Sequence, residues 1–550
     1  MKQTLNVRPR TSTLIQVVSE SAEPSPRPPF LYWLCWGAIL LLAALFRVVP
    51  IRSGLPYSDY IDEGHVLHQT IDAINRRSLD VKWYGLPALP AYTAGAALLL
   101  YSPFYRHFHG HGFQRDLPRE YDLPTSSLDY DFIAPVELIV AGRVATACLS
   151  IASVILAGII ATRLGNRPAG LLAMLLTAIC PALVTRASIV IVDTFAAFFV
   201  LLVLYFSERI LSSPIESAWK NVGLAGLAAG LAFASKYPAA VAGIAVITSI
   251  LLLHVSWSHR FRLLAFAAAG FVSGIFIGGP MTFLQPRKVW HDILANVKAY
   301  DWIPWRQSYF AQATSMSELG WPLLLISCAG LVLMLRQGRT RGVALGWILF
   351  GATVIGLFAG KSFQPFRNLL PLVSPLCIAA AIAFVSLIGW ARRRLHRWLR
   401  GGVAILLIAG SVGSLGFASF QHVRQRMAHR DSRVQAVDWL QQHVGKRQRV
   451  LAIKELAVLP SEWRRIQAEI TVVPLSEAAP LVHGGPFDYL VTGELDQGTP
   501  GDPWQASREA WADQIASLKI LATFGSVPTP IPLNLWRTND ERLVIYAIRQ

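Results

Sequence analysis

The fold is decided by Leu31-Tyr-Trp-Leu-Cys-Trp-Gly-Ala-Ile-Leu-Leu-Leu-Ala-Ala-Leu-Phe-Arg-Val-Val49, an apolar run whose only charged residue is Arg47. A run of this length is enough to cross the hydrocarbon core of a bilayer as a helix. After a short gap comes Tyr60-Ile-Asp62-Glu63-Gly-His65, which we expect on a loop at the membrane surface. The pattern predicts a membrane span with an acidic pair at its outer end.

The composition agrees with a polytopic membrane protein. Of the 550 residues, 53% are hydrophobic and 15% are charged, and the mean hydropathy is +0.43, which excludes an ordinary soluble protein. The net charge of +17 would suggest nucleic-acid binding in a soluble protein. Here Lys and Arg cluster in short loops between apolar runs, where membrane topology requires them, so we expect no nucleic-acid partner. All five cysteines lie in apolar runs, so a disulfide framework is not expected.

The apolar runs predict about eleven membrane-spanning helices. A further run, 87–105, is interrupted by prolines, and we place it as an interfacial or re-entrant helix. With the N-terminus in the cytoplasm, every dense basic turn falls on the cytoplasmic side and the C-terminus lies outside. We expect a multi-pass cell-membrane protein, with a bacterial inner membrane favoured over the endoplasmic reticulum. The predicted spans are 31–50, 143–162, 168–185, 193–208, 221–235, 239–255, 262–283, 319–335, 342–360, 367–390 and 402–420.

Three regions follow from this topology. Residues 1–30 form a polar cytoplasmic tail, residues 31–420 form the membrane domain with outer loops at 51–142 and 286–317, and residues 421–550 form a small extracytoplasmic α/β domain. In the last region Asp431 is placed to cap a helix over 432–444. The short apolar segments expected as strands of an open sheet are Val450–Ile453, Ile470–Val473, Tyr489–Val491 and Leu543–Ile548.

The same topology brings a set of charged groups to the outer face of the membrane. Asp193 lies in the apolar run Ser188–Phe199, and acids at membrane depth are costly and mark functional sites by default. Lys236, Lys361 and Arg367 lie outside against the usual charge bias, where cations suit a phosphate group. Simpler interpretations stay open: solvated loop acids at Asp62–Glu63, a helix cap at Asp193, and snorkelling cations at helix ends.

A divalent metal ion is a candidate cofactor. Asp62, Asp193 and His65 are the candidate ligands, and the spacing of His65 and His68 fits one face of a helix. The outer loop 286–317 is rich in aromatic residues, which suits either an interfacial belt or a lid over a sugar or lipid.

Several motifs, taken in order, resemble those of one known enzyme family. The chain is similar to the GT-C glycosyltransferases that use polyprenyl-phosphate sugars, in particular the protein O-mannosyltransferases and the lipid A aminoarabinose transferases (glycosyltransferase family 39-like). The matching stretches are Asp62-Glu63, Ala141-Gly-Arg143-Val-Ala-Thr-Ala, Leu164-Gly165 with Gly170-Leu-Leu-Ala, Pro181 and Asp193, Gly226-Leu-Ala-Ala-Gly230-Leu-Ala-Phe-Ala-Ser-Lys236, and Arg367-Asn-Leu-Leu-Pro371 with Pro375.

The resemblance implies a reaction and roles for these residues. A sugar would pass, with inversion, from a polyprenyl phosphate to a hydroxyl of a lipid, glycan or protein acceptor on the outer face. Asp62 would be the general base, with Glu63 beside it in the acidic pair. Asp193 would be a second acid that orients the acceptor or holds a metal ion. Lys236, Arg367 and Lys361 would bind the donor phosphate.

A transporter or flippase of lipid-linked or polar substrates is the alternative class. It explains many spans and buried charges equally well, but it predicts charged groups through the midplane and two related halves. The candidate groups here gather at one face of the membrane. We find no related halves in the sequence.

Overall fold

The computed structural model describes residues 29–57, 61–117, 135–302, 308–394, 409–456, 458–493, 511–525 and 542–549. Its larger part is a bundle of apolar helices, and its smaller part is a mixed sheet with flanking helices. The helices of the bundle are α1 Phe30–Val48, α2 Ile61–Arg76, α3 Leu89–His109, α4 Val136–Leu164, α5 Arg167–Ile179, α6 Pro181–Ala187, α7 Val192–Ser212, α8 Ile215–Ser235, α9 Gly243–Leu251, α10 Trp257–Gly278, α11 Met281–Leu284, α12 Pro286–Trp302, α13 Tyr309–Thr314, α14 Trp321–Arg336, α15 Gly338–Ala359 and α16 Leu370–Arg394.

Most of the predicted spans coincide with helices. In the described part of the chain, six helices are long and apolar enough to cross a membrane, and a seventh span results if the bent pair α5–α6 counts as one. The helix over Tyr237–Leu251 and α14 are apolar but shorter. The predicted span 402–420 falls partly outside the described residues. The count of about eleven spans therefore stays a prediction.

The run 87–105 is one continuous helix rather than a proline-interrupted segment. Pro90 lies in the first turn of α3, where a missing backbone N–H has no helical partner to lose. Pro103 lies inside the helix, which continues to His109 and ends at Gly110 with a φ of 73°. The prolines therefore mark the start of α3 but do not divide it.

The single charge of the first span faces the protein interior. Arg47 is fully buried and donates hydrogen bonds to the carbonyl oxygens of Thr177 and Ala178 at 3.1 and 2.9 Å, and to Ser150 Oγ at 2.7 Å. The last carbonyls of a helix have no partner within it, and Arg47 supplies one for the end of α5. This contact fixes α1 at the 55° bend between α5 and α6.

The glycines that precede Lys236 bring α8 and α10 into backbone contact. A Cβ atom at Gly226 would lie 2.2 Å from the carbonyl oxygen of Ala267, and one at Gly230 would lie 2.2 Å from that of Phe271. A Cβ atom at Gly274 on α10 would likewise lie 2.3 Å from the carbonyl oxygen of Leu227 on α8. Small residues at such spacing permit close helix packing in membranes. The close packing sets the position of Lys236, the residue after α8.

The C-terminal region is an α/β domain, as predicted. Its sheet has the order β2-β1-β3-β5-β4, with β1 to β3 parallel and β5 antiparallel to both β3 and β4. The strands are β1 Arg449–Ile453, β2 Glu469–Val473, β3 Tyr489–Gly493, β4 Lys519–Phe524 and β5 Leu543–Ala547. Before the domain, α17 Ser414–Ala428 packs on α5 and α6 of the bundle, and the helices of the domain are α18 Ser432–His443, α19 Pro460–Trp463 and α20 Leu475–Gly484. β4 was not predicted from the sequence: its apolar run Ile520-Leu-Ala522 is short, and most of its side chains are exposed.

The C-terminal domain contacts the segment that follows the first span. Asp431 caps α18 by accepting a hydrogen bond from the backbone N–H of Arg433, as predicted. The Arg433 guanidinium lies 3.6 Å from the ring centroid of Tyr57, and the Tyr57 hydroxyl accepts a bond from the N–H of Leu459 at 3.2 Å. Ser53 Oγ also donates to the Arg426 carbonyl at 2.8 Å. The domain therefore lies on the same side of the bundle as Asp62.

Candidate active site

The acidic pair lies in the first turn of a helix and not on a loop. Asp62 and Glu63 are the second and third residues of α2, and the following sequence, with Val66, Leu67 and Ile71 fully buried, explains why a helix forms here. Successive residues of a helix point about 100° apart. The two carboxylates therefore face different surroundings.

Glu63 faces the protein interior. Its carboxylate accepts two hydrogen bonds from Arg143, Nε to Oε1 at 2.8 Å and Nη2 to Oε2 at 2.7 Å, and both side chains are fully buried. Oε1 also accepts the backbone N–H of Val190 at 2.9 Å, and Arg143 Nη1 donates to the carbonyls of Ile51 and Ser53. The expectation that Glu63 acts beside Asp62 in the chemistry is not supported by this position. Glu63 ties together α2, α4 and the segment before Asp193.

Asp62 faces a cavity and forms an ion pair with Arg367. Both side chains are largely buried, with 13% of the Asp62 side chain and 9% of the Arg367 side chain exposed. Arg367 lies in the 3-10 turn Phe366–Leu369, just before α16. Residues far apart in the sequence thus meet at one point, as the outer-face topology predicted.

Asp193 forms the second carboxylate–cation pair. It lies in the first turn of α7, and its Oδ1 contacts Lys236 Nζ. Lys236 also donates to Asn368 Oδ1 at 2.7 Å, and Asn368 Nδ2 donates to the Tyr309 hydroxyl at 3.0 Å. The residue before α7 is Ile191 and no side chain caps the helix, so Asp193 is not a capping residue. Its second oxygen, Oδ2, is buried without a hydrogen-bond partner among the described residues.

One cavity of about 480 Å³ joins the two pairs. The predicted residues Asp62, Asp193, Lys236, Lys361 and Arg367 supply the Asp, Lys and Arg side chains of its lining. Five of the six predicted catalytic and phosphate-binding residues therefore share one cavity, and Glu63 is the exception. The other lining residues are His65, Trp83, Gly85, Leu86, Pro87, Val192, Tyr237, Pro238, Ile293, Asn296, Val297, Tyr300, Leu357, Phe358 and Phe363.

The candidate metal ligands do not fit a metal site. In the part of the chain that the structure describes, no three His, Cys, Asp or Glu side chains come together as a ligand cluster. Asp62 contacts the Arg367 side chain and Asp193 contacts that of Lys236. The His65 ring packs against the Trp83 ring at 5.1 Å between centroids. Burial lowers the pKa of His65 to about 4, with Asp62 acting in the opposite direction, so His65 is neutral near pH 7. We derive no step through a metal ion.

Sequence reasoning missed several partners of the site. Asn368 was noted only within a motif, although its amide links Lys236 to Tyr309. A second buried pair, Arg186 with Glu318 at 2.7 Å, fixes α6 to the segment before α14. Arg186 follows an apolar run, so the rule that a charged side chain at membrane depth indicates a functional site applies to it as well as to Asp193. Its partner, on a turn in the outer loop, carried no such signal.

Comparisons with known proteins find one family model and several solved structures that are similar to this chain. Residues 136–277 match the family described as dolichyl-phosphate-mannose-protein mannosyltransferase. The crystal structure of apo ArnT from Cupriavidus metallidurans is similar at 12% identity with a TM-score of 0.51, covering 94% of this chain and 98% of that chain. The structure of that protein bound to undecaprenyl phosphate gives 13% identity and a TM-score of 0.50, with the same coverage.

An archaeal structure extends the likeness. The apo oligosaccharyltransferase of Archaeoglobus fulgidus has 10% identity and a TM-score of 0.50, covering 93% of this chain and 76% of that chain. No curated protein sequence matches the chain. The likeness establishes the fold: this chain has the GT-C fold of these glycosyltransferases, and its described residues include six helices that are long and apolar enough to cross a membrane. The resemblance predicted from the sequence motifs is confirmed.

Proposed function

We propose that this protein is an integral-membrane glycosyltransferase that moves a sugar from a polyprenyl phosphate to an acceptor hydroxyl. One observation carries the proposal: Asp62 with Arg367 and Asp193 with Lys236 meet in a single cavity. Two acids suit proton removal and acceptor orientation, and the cations suit a phosphate leaving group. The acceptor class, whether lipid, glycan or protein, stays open.

The reaction needs only these groups. The acceptor oxygen attacks the anomeric carbon of the sugar, and its proton passes to the carboxylate of Asp62. The bond from the anomeric carbon to the phosphate oxygen breaks, and its electron pair leaves with the lipid phosphate. Lys236, Arg367 and Lys361 stabilise that charge. Attack from the face opposite the phosphate inverts the anomeric carbon.

Asp193 is placed to orient the acceptor. Its Oδ1 contacts Lys236, its buried Oδ2 has no hydrogen-bond partner among the described residues, and the residue lines the cavity. A buried carboxylate oxygen without a partner is costly, and an acceptor hydroxyl donated to it would remove that cost.

Removing a cation from the cavity should weaken donor binding. Lys236→Ala and Arg367→Ala each lose a charged hydrogen bond to the phosphate, so we expect affinity losses of about 1.5–3 kcal/mol. Binding of undecaprenyl phosphate to the purified variants measures this loss. Lys288→Ala is the matched control, because Lys288 lies on the outer-loop helix α12 and is not a lining residue of the cavity. Unchanged affinity in both site variants would remove these residues from the phosphate site.

The predicted orientation places residues 421–550 outside the cytoplasm. A reporter that is active only in the cytoplasm should therefore be silent when fused after Gln550. The same reporter fused in the basic turn Arg336–Arg341 should be active, and it serves as the matched control. Strong activity of the C-terminal fusion would overturn the predicted topology.

Purified protein in detergent micelles separates the proposed function from transport. A micelle has no two compartments, so a flippase has no measurable activity there. We expect transfer of radiolabelled sugar from a panel of polyprenyl-phosphate sugars to at least one acceptor of the lipid, glycan or peptide class. Lipid movement in vesicles by a protein that transfers no sugar in micelles would favour the transporter.

A further inference from the structure

We propose that Trp83 is the platform on which the donor sugar stacks, and so a specificity-determining residue of the transferase. The inference rests on the proposed function and adds the sugar position to the phosphate and acid positions. It is carried by the place of the Trp83 ring in the cavity and by the way in which the segment 80–87 is held.

The ring lies on the same wall of the cavity as the proposed base. Asp62 and His65 are three residues apart in α2, so they share one helix face. The His65 ring packs against the Trp83 ring at 5.1 Å with an interplanar angle of 32°. All three residues line the cavity. The indole therefore extends the surface that begins at Asp62.

The backbone next to Trp83 packs closely against the indole ring. A Cβ atom at Gly85 would lie 2.0 Å from Trp83 Cζ2 and 2.5 Å from Cε2, so the ring covers Gly85 and would have to shift if a larger residue stood there. Lys82, just before the tryptophan, has a φ of 59° in the left-handed region that non-glycine residues rarely adopt. The Asp80 carboxylate accepts the N–H of Lys82 at 2.8 Å and holds this conformation.

Hydrogen bonds from three other elements hold the same segment. Gln69 on α2 donates to the carbonyl of Trp83 at 2.8 Å. Asn296 on α12 donates to that of Gly85 at 2.7 Å, and Tyr237, next to Lys236, donates to that of Tyr84 at 2.8 Å. A loop fixed from this many sides holds an aromatic ring in one place, as a preorganised binding surface requires.

The chemistry of the cavity gives the platform its ligand. In the proposed site the carboxylates act on the acceptor and the cations bind the phosphate. A sugar ring also presents apolar C–H faces, which pack against an apolar surface. An aromatic ring offers a large, rigid apolar surface for such a face at little entropic cost. Trp83 is partly exposed and borders the cavity beside the proposed base, where the sugar must lie during transfer.

The test compares a sugar-bearing lipid with a sugar-free one. We measure binding of polyprenyl-phosphate mannose, polyprenyl-phosphate arabinose and plain polyprenyl phosphate to wild type and variants. Trp83→Ala should lose about tenfold in affinity for at least one sugar-bearing lipid and keep its affinity for the plain lipid phosphate. Trp83→Phe should restore most of the loss. Gly85→Ala, which displaces the ring without removing it, should show the same selective loss.

Two controls make the result decisive. Trp290→Ala removes an indole from the outer-loop helix α12 that is 61% exposed and is not a lining residue of the cavity, and it should change nothing. Equal losses for the sugar-bearing and plain lipids in Trp83→Ala would mean a structural role and overturn the inference. Unchanged binding of all three lipids would also overturn it. Wild-type protein that binds none of them would overturn the donor site itself, and with it the proposed function.

Discussion

Asp62→Asn is expected to lower sugar-transfer turnover by about a hundred- to ten-thousand-fold, the usual cost of losing a general base. The amide keeps the size of the carboxylate but does not accept the acceptor's proton. Asp62 lines the cavity and its side chain is 13% exposed, so its replacement by the isosteric amide leaves the buried core of α2 in place. The measurement is transfer by folded protein with saturating donor.

Asp193→Asn provides the comparison within the same cavity. Turnover should again fall strongly, but the affinity for the acceptor should fall as well, because Oδ2 is the oxygen offered to it. Near wild-type turnover in Asp62→Asn would show that Asp62 is not the base. Asp193 would then be the remaining carboxylate of the cavity for that role.

Glu63→Ala is expected to act on folding rather than on chemistry. It leaves Arg143 buried without its carboxylate, and breaking a buried ion pair in this way costs about 3–5 kcal/mol. We expect a lower yield of folded protein and a lower melting temperature in detergent. Asp62→Ala, one residue earlier in the same helix turn, is the comparison: the side chains of Asp62 and Arg367 keep 13% and 9% exposure at the cavity, so we expect a smaller fall in melting temperature than for Glu63→Ala.

A double substitution separates a structural role of the Glu63–Arg143 ion pair from a catalytic role of Glu63. Glu63→Ala combined with Arg143→Met removes both charges, and replacing a buried pair by apolar residues is often neutral or stabilising. The double variant should therefore recover much of the lost melting temperature. A Glu63→Ala protein with a wild-type melting temperature and no turnover would contradict the structural role and return Glu63 to the chemistry.

The sequence predicted the cavity better than it predicted the surroundings of each acid. Lys236, Lys361 and Arg367 were identified because they lie on the predicted outer face against the topology rule, where cations are unusual. The same reasoning identified Asp62 and Asp193. It did not separate Asp62 from Glu63, since a pair read as part of a loop carries no information about which side chain faces inward.

The helical position of that pair was the missing fact. With α2 beginning at Ile61, neighbouring residues diverge by about 100° and must have different partners. Arg143 lies 80 residues after Glu63 in the sequence, so no local pattern predicts that the two side chains pair. Trp83 was missed for a similar reason, because a tryptophan after a run of loop residues has no periodicity that marks a cavity wall.

In the C-terminal domain, local sequence patterns were sufficient to predict one helix cap and most of the strands. Asp431 capped its helix as predicted, and four of the five strands were placed within a few residues. Apolar runs bounded by turns mark strands that are buried in a sheet. Among the described strands β4 pairs with β5 at the edge of the sheet, and its apolar run Ile520-Leu-Ala522 is short and mostly exposed, so it does not stand out as a buried strand.

In the proposed reaction, a carboxylate of the cavity directs an acceptor hydroxyl at a sugar whose lipid phosphate is held by cations. One reaction in detergent yields two products that can be followed together: the polyprenyl phosphate released, by phosphorus NMR, and the anomeric configuration of the glycoside formed. We expect one lipid phosphate for each sugar transferred and an inverted anomeric carbon, with both products lost in Asp62→Asn. A retained configuration, or sugar transfer that survives Asp62→Asn unchanged, would contradict it.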